Sequence, residues 1–149
     1  MANAQQSLRN VRIIHFAFLT TPGLLFFVIS PIRITGIAAP SFLPAVLAVL
    51  AFSEVGIATL FRGEMIRPAV NRLQQSPQDS AALAPWMSGN MLSFGFALTV
   101  VLYGVLIRVM GFSWTIAAWF FVAGFLLLVL WTPRLELPLS TNVPGSPAP

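Results

Sequence analysis

Four apolar runs, each about 20 residues long and bounded by arginine, proline or glycine, leave this chain few ways to fold. A helix of that length rises about 30 Å, the thickness of a bilayer's hydrocarbon core. Within lipid only helices and closed barrels satisfy their own backbone hydrogen bonds, and runs this long are helices. They fall at about residues 13–34, 42–61, 89–110 and 113–132. Charge supports the same reading, because 8% of the residues are charged where a soluble domain has about 25%. The expected fold is all-α: a polytopic membrane protein whose four transmembrane helices form an up-down bundle with short loops.

The remaining segments are short. Residues 1–12 form a polar N-terminus, and an arginine-flanked apolar stretch behind it could also be a signal peptide, with small residues near Ile37, Ala38 and Ala39 as its cleavage site. The length of the run and Pro40 directly after that site favour a retained helix. Residues 62–88 read as an amphipathic cytoplasmic segment, because Met65, Ile66, Ala69, Val70 and Leu73 recur at helical spacing until Ser76, Pro77, Gln78 and Asp79 interrupt them. Asp79 or Ser80 then caps a short stretch leading to Pro85 and Trp86. Gly111 and Phe112 allow only a tight hairpin between the last two runs. Residues 133–149 are rich in proline and small side chains and read as a flexible tail.

All eight basic residues are arginine, and they sit singly or in pairs at the ends of the apolar runs, not in a dense patch. That distribution excludes a nucleic-acid face and instead orients the chain in a membrane. With the N-terminus cytoplasmic, Arg9, Arg12, Arg62, Arg67, Arg72 and Arg134 lie inside, and Arg33 and Arg108 outside. Six against two predicts that both termini are cytoplasmic, with Trp86 and Trp131 marking the inner interface and Trp114 the outer one. The absence of cysteine excludes disulfides, thiolate metal sites and cysteine catalysis.

Glu54 is the most informative residue, since it lies in the middle of FLPAVLAVLAFSEVGIATLF. An acid there costs about 2.5–3.5 kcal/mol to insert and is a functional candidate for that reason. Ala51 and Ala58 on the same stripe let a neighbouring helix come close. Two readings stand beside each other. In one, a neutral carboxyl donates a hydrogen bond to a carbonyl or to Thr20 or Thr21 and fixes helix register. In the other, the carboxyl exchanges a proton or binds a cation, with His15, the only histidine, Asn90 and Ser93 supplying a polar path from the cytoplasm. His15 also has a plainer reading, an interfacial imidazole bonded to a carbonyl or headgroup. A haem ligand across a dimer and a quinone pocket with Phe16 and Phe18 are weaker alternatives. Pro22 and Gly23 read as a kink in the first helix, and Gly89, Ser93, Ala97 and Gly104 as a packing stripe.

The segments NVRIIHFAFL, SPQDSAALAPWMSGNMLSFGFAL and FFVAGFLLLVLWTPR together resemble a group of small four-helix bacterial membrane proteins. That resemblance covers most of the chain and implies a fold, a multi-pass protein of the bacterial inner membrane, without an activity. LTVVLYGVL resembles the ion-binding helix of rotary ATPase c-type (proteolipid) subunits, in which an acid precedes Tyr-Gly by five residues; Leu98 occupies that place before Tyr103 and Gly104. No serine-histidine-acid set, metal-ligand cluster or phosphate loop is present in the sequence. The expectation is therefore a non-catalytic protein without cofactor or metal. Its partners would be the lipid bilayer and other membrane subunits or further copies of itself.

Overall fold

The computed structural model describes residues 2–31, 40–76 and 79–133, with side chains from Gln6 onward. These residues are helical or in turns, and no strand occurs among them. The elements are α1 (Ala2–Ile29), α2 (Leu43–Phe61), a π-helical turn (Arg62–Ile66), α3 (Arg67–Gln75), α4 (Ser80–Val109) and α5 (Trp114–Leu130). Because α2, the π turn and α3 run on without a break, the described chain consists of four helical rods. Three of them are long and apolar enough to cross a membrane, over Gln6–Ile29, Leu43–Gln75 and Ser80–Val109, spans of 24, 33 and 30 residues. With 17 residues, α5 is the shortest rod, about 26 Å at helical rise.

Two of the helices, α1 and α4, start earlier than their apolar runs. In α1 the polar residues from Ala2 to Arg12 are already helical, because ANAQQSLRNVR contains no glycine or proline and is rich in helix-favouring side chains. Val11 is fully buried, so this first stretch also packs. The helix passes through Pro22 and Gly23 without ending. The hydroxyls of Thr20 and Thr21 both donate to the Ala17 carbonyl, at 2.9 and 2.8 Å. The expected helix end at Ile34, Arg33, and the small residues near Ala39 lie outside the described residues.

Likewise α4 begins at Ser80 and not at Gly89. Asp79 caps it, its Oδ1 accepting from the amides of Ala81 and Ala82 at 2.9 and 3.3 Å, which fills two of the otherwise unpaired donors of the first turn. SAALA then carries the helix through Pro85. The short separate stretch expected before Trp86 is thus the first part of α4 itself.

The π turn has a local cause. In an α-helix the ring of Pro68 would meet the carbonyl of Glu64 and remove that residue's bond, and a wider turn relieves both. From the end of the turn into α3, Ile66, Ala69 and Leu73 are buried, and Met65 and Val70 half-buried, so the apolar side of the turn and of α3 lies on α4.

In space α4 is the central rod. It packs against α1, α2, the π turn, α3 and α5; α1 also touches α5, while α2 packs substantially on α4 alone among the long helices. The buried residues of α4 recur every three or four positions through Ala82, Trp86, Asn90, Ser93, Ala97, Val101, Gly104 and Ile107. Two glycines bring α4 and α5 together: a Cβ on Gly104 would lie 2.9 Å from the Ala117 carbonyl oxygen, and one on Gly124 2.8 Å from that of Ala97. The hairpin between them closes at Gly111, whose φ of 83° is the left-handed conformation that ends helices. Gly111 and Phe112 donate back to the carbonyls of Arg108 and Ile107.

The tryptophans are placed differently from an aromatic belt. Trp86 is fully buried and Trp131 nearly so, both inside the main core. Trp119, in the middle of α5, is the outward-facing one at 70% exposure.

Candidate functional site

Glu54 and Tyr103 form the only hydrogen bond between two side chains among the described residues, the phenol donating to the carboxyl Oε1 at 2.5 Å. The pair joins α2 to α4. Its register follows from packing at the far end of the same rods, where Ile66 fits against Gly89; a Cβ there would stand 2.7 Å from Ile66 Cγ1. With α2 and α4 antiparallel, that contact brings residue 54 opposite residue 103, where the tyrosine ring rests edge-on against Phe120. Glu54 is half-buried, and its second oxygen, Oε2, is enclosed without a hydrogen-bond partner. Beside the pair, α2 and α5 stand apart over α4 and leave an apolar groove of about 280 Å³ lined by Ala51, Val55, Val100, Phe120 and Leu127, among others.

His15 lies elsewhere. It is buried, its ring rests on Phe94 at 4.8 Å between centroids, and its Nε2 bonds to the Leu128 carbonyl at 2.8 Å. A carbonyl only accepts, so Nε2 carries the hydrogen. Leu128 belongs to the last turn of α5, whose carbonyls have no partner within the helix. The imidazole therefore closes the end of α5 from α1, and the Thr132 hydroxyl does the same one residue on, donating to the Val129 carbonyl at 2.6 Å.

Asn90 and Ser93 are buried at the level of His15 and bond within α4. The Asn90 amide donates to the Trp86 carbonyl at 2.8 Å, and the Ser93 hydroxyl to the Gly89 carbonyl at 2.7 Å. Asn90 Oδ1 and Trp86 Nε1 are enclosed without partners. Arg62, the first residue of the π turn, covers the Trp131 ring with its guanidinium 5.5 Å from the centroid. One Nη1 of that guanidinium is also enclosed without a partner.

The residues singled out in the sequence thus divide into two places. His15, Asn90 and Ser93 share one level, and Glu54 stands about 14 Å along α4 from it, taking Phe94 and Tyr103 as markers. The buried α4 side chains between these markers, Ala97, Val100 and Val101, are apolar. Thr20 and Thr21 are occupied by Ala17 on their own helix and do not reach Glu54. The residue that does reach it, Tyr103, is the single tyrosine of the chain and the one that LTVVLYGVL sets near an acid, although there the acid's place is on the same helix. Arg62 and Trp86, which the sequence marks as a helix-end arginine and an interfacial aromatic, stand at the same polar level as His15, Asn90 and Ser93.

No protein-family model, curated protein or solved structure matches this chain.

Proposed function

We propose that this chain is a non-catalytic, multi-pass protein of a bacterial inner membrane. All four rods cross the bilayer, both termini are cytoplasmic, and the protein works through helix packing as an accessory subunit of a membrane complex or as a homo-oligomer. The observation that carries this reading is the contrast between inside and outside. Its interior polar groups mostly bond to carbonyls of their own helix, and His15 to the end of α5, while the outer faces present Phe27, Phe52, Leu60, Trp119 and Leu130 at 70% exposure or more. Large apolar side chains spread over every long helix suit lipid or other helices and would drive aggregation in water. The position of α2 adds to this, since it packs mainly on α4 and leaves Val49, Phe52 and Leu60 exposed.

A second reading rests on one feature, the unpartnered Oε2 of Glu54 beside the Tyr103 hydroxyl. A carboxyl with a free oxygen can pick up and release a proton or a cation, and in the c-type resemblance a carboxyl belongs near this tyrosine. Here Glu54 reaches it from another helix. The apolar stretch of α4 between this pair and His15 favours the first reading.

Purification in mild detergent, with the copy number and the accompanying subunits determined, tests the proposal. A multimer or a defined partner is expected, and a solitary monomer that keeps its helices overturns it. Proteoliposomes separate the two readings. Glu54→Gln keeps size and hydrogen bonding, so unchanged proton flux supports the packing role, whereas normal assembly with flux abolished establishes translocation.

A further inference from the structure

One face of α1 joins two unengaged arginines to an apolar surface. Arg9, Arg12, Ile13 and Phe16 follow the i, i+3, i+4, i+7 spacing of a single helical stripe, and with Leu8 they line a surface recess of about 450 Å³. All four are exposed, Ile13 by 60% and Phe16 by 65%. Charge and apolar surface are separated along the axis, the guanidinia at one end and Phe16 about 10 Å farther into the apolar run. Helical side chains lean toward the N-terminus, so the long arginines reach away from the apolar part and widen that separation.

Other arginines are already engaged. Arg62 lies over Trp131, and Arg108 lies over Trp114 while donating to the Phe112 carbonyl. That last contact is the only arginine hydrogen bond among the described residues, so Arg9 and Arg12 keep their full donor capacity. Arg67 and Arg72 stand on α3 at the same end of the molecule, where the described acids are Glu64 and Asp79, and Asp79 is committed to capping α4. This end is therefore positive, and it needs counter-charge that the described residues do not provide.

From this we infer that the α1 face is a binding site for an anionic phospholipid, its phosphate held by Arg9 and Arg12 and an acyl chain lying along Ile13 and Phe16. The inference rests on the membrane reading above. A lipid is the one small molecule that matches both halves of the stripe in the order they occur, and basic residues close to a bilayer surface each strengthen the hold on anionic lipid.

The test is native mass spectrometry of the delipidated full chain in a nonionic detergent, with dioleoyl phosphatidylglycerol and dioleoyl phosphatidylcholine added at equal concentration. Phosphatidylglycerol is expected to be retained preferentially. The double variant Arg9→Gln, Arg12→Gln should lose that preference by about fivefold for each arginine removed, while Arg67→Gln, Arg72→Gln stays within about twofold of the parent. Neither arginine of α1 supports the fold, so circular dichroism should show unchanged helix content. An unchanged preference in the first variant overturns the inference, as does an equal loss in both, which would mean diffuse charge and not a site. Displacement of the lipid by inorganic phosphate alone overturns the apolar half. Failure of the membrane reading is separately visible, as release of the protein from native membranes by alkaline carbonate.

Discussion

Replacing Gly124 by alanine should loosen the close approach of α5 to α4. A Cβ at that position would lie 2.4 Å from Val101 Cγ2, 2.8 Å from the Ala97 carbonyl oxygen and 3.1 Å from the Val101 amide nitrogen. The valine methyl can rotate away, but the two backbone atoms cannot, so α5 has to retreat from α4. A gap of roughly 0.5–1 Å removes a quarter to a half of the dispersion energy of the atoms facing it. Spread along the most extensive helix pair of the fold, this places the variant at the usual cost of overpacking, about 1–3 kcal/mol. Unfolding in mixed micelles, with a denaturing detergent titrated into a mild one and helix content followed by circular dichroism, measures it. Gly95→Ala is the control, since nothing lies within 4 Å of its Cβ, and it should be neutral or stabilising by about 0.5–1 kcal/mol. Adding Val101→Ala to Gly124→Ala should recover part of the loss through coupling between the two sites, but not all of it, because the Ala97 carbonyl stays. A Gly124→Ala protein within about 0.5 kcal/mol of the parent, with no coupling to Val101, would refute the close-approach argument.

The same assay reaches the polar contacts. Tyr103→Phe leaves Glu54 Oε1 without its donor at a half-buried site and should destabilise by about 1–3 kcal/mol, whereas Tyr103→Phe combined with Glu54→Leu removes both partners and should come back toward the parent. Asp79→Ala deprives the first turn of α4 of its cap and should cost about 0.5–2 kcal/mol, read as earlier loss of helix at that end by hydrogen exchange. For orientation, reporter fusions after Gln75 and at Gly111 should read cytoplasm and exterior respectively, and the opposite pattern would reverse the topology.

Much of the architecture is legible in the sequence because lipid-compatible helices must be long and apolar, and length and apolarity are local properties. The helical spacing of Ile66, Ala69 and Leu73 is of the same kind, a pattern on one element that becomes one buried face. Polar helix-formers carry no such mark. The Ala2–Arg12 stretch has no apolar run to announce it, and so its helix was not expected. Trp86 shows a different limit: an aromatic near a proline reads as an interfacial anchor until the packed helices are seen to bury it. Contacts between helices are the least legible. That Tyr103 meets Glu54 depends on how far α2 slides along α4, and the seating of Ile66 against Gly89, well over a turn from either residue, decides it. His15 is an intermediate case, since a backbone carbonyl was one of the partners open to it, but nothing in the sequence says that the carbonyl is Leu128 of the last helix.

The π turn has a consequence for what lengths of chain this protein tolerates. Each residue of an α-helix advances by about 100°, so the nineteen steps from Glu54 to Leu73 would leave Leu73 about 100° out of phase with Glu54 if the rod were α-helical throughout. Both nevertheless face α4, one bonded to Tyr103 and the other fully buried. The wider turn at Arg62–Ile66 takes up one residue without advancing the winding, which brings the two faces into phase again. Losing a single residue here, with Pro68 also replaced so that no ring meets the carbonyl one turn back, would convert the turn to ordinary helix and keep both contacts, while gaining one would swing the α3 face off α4. Between these two residues, then, variation in length should run in one direction only.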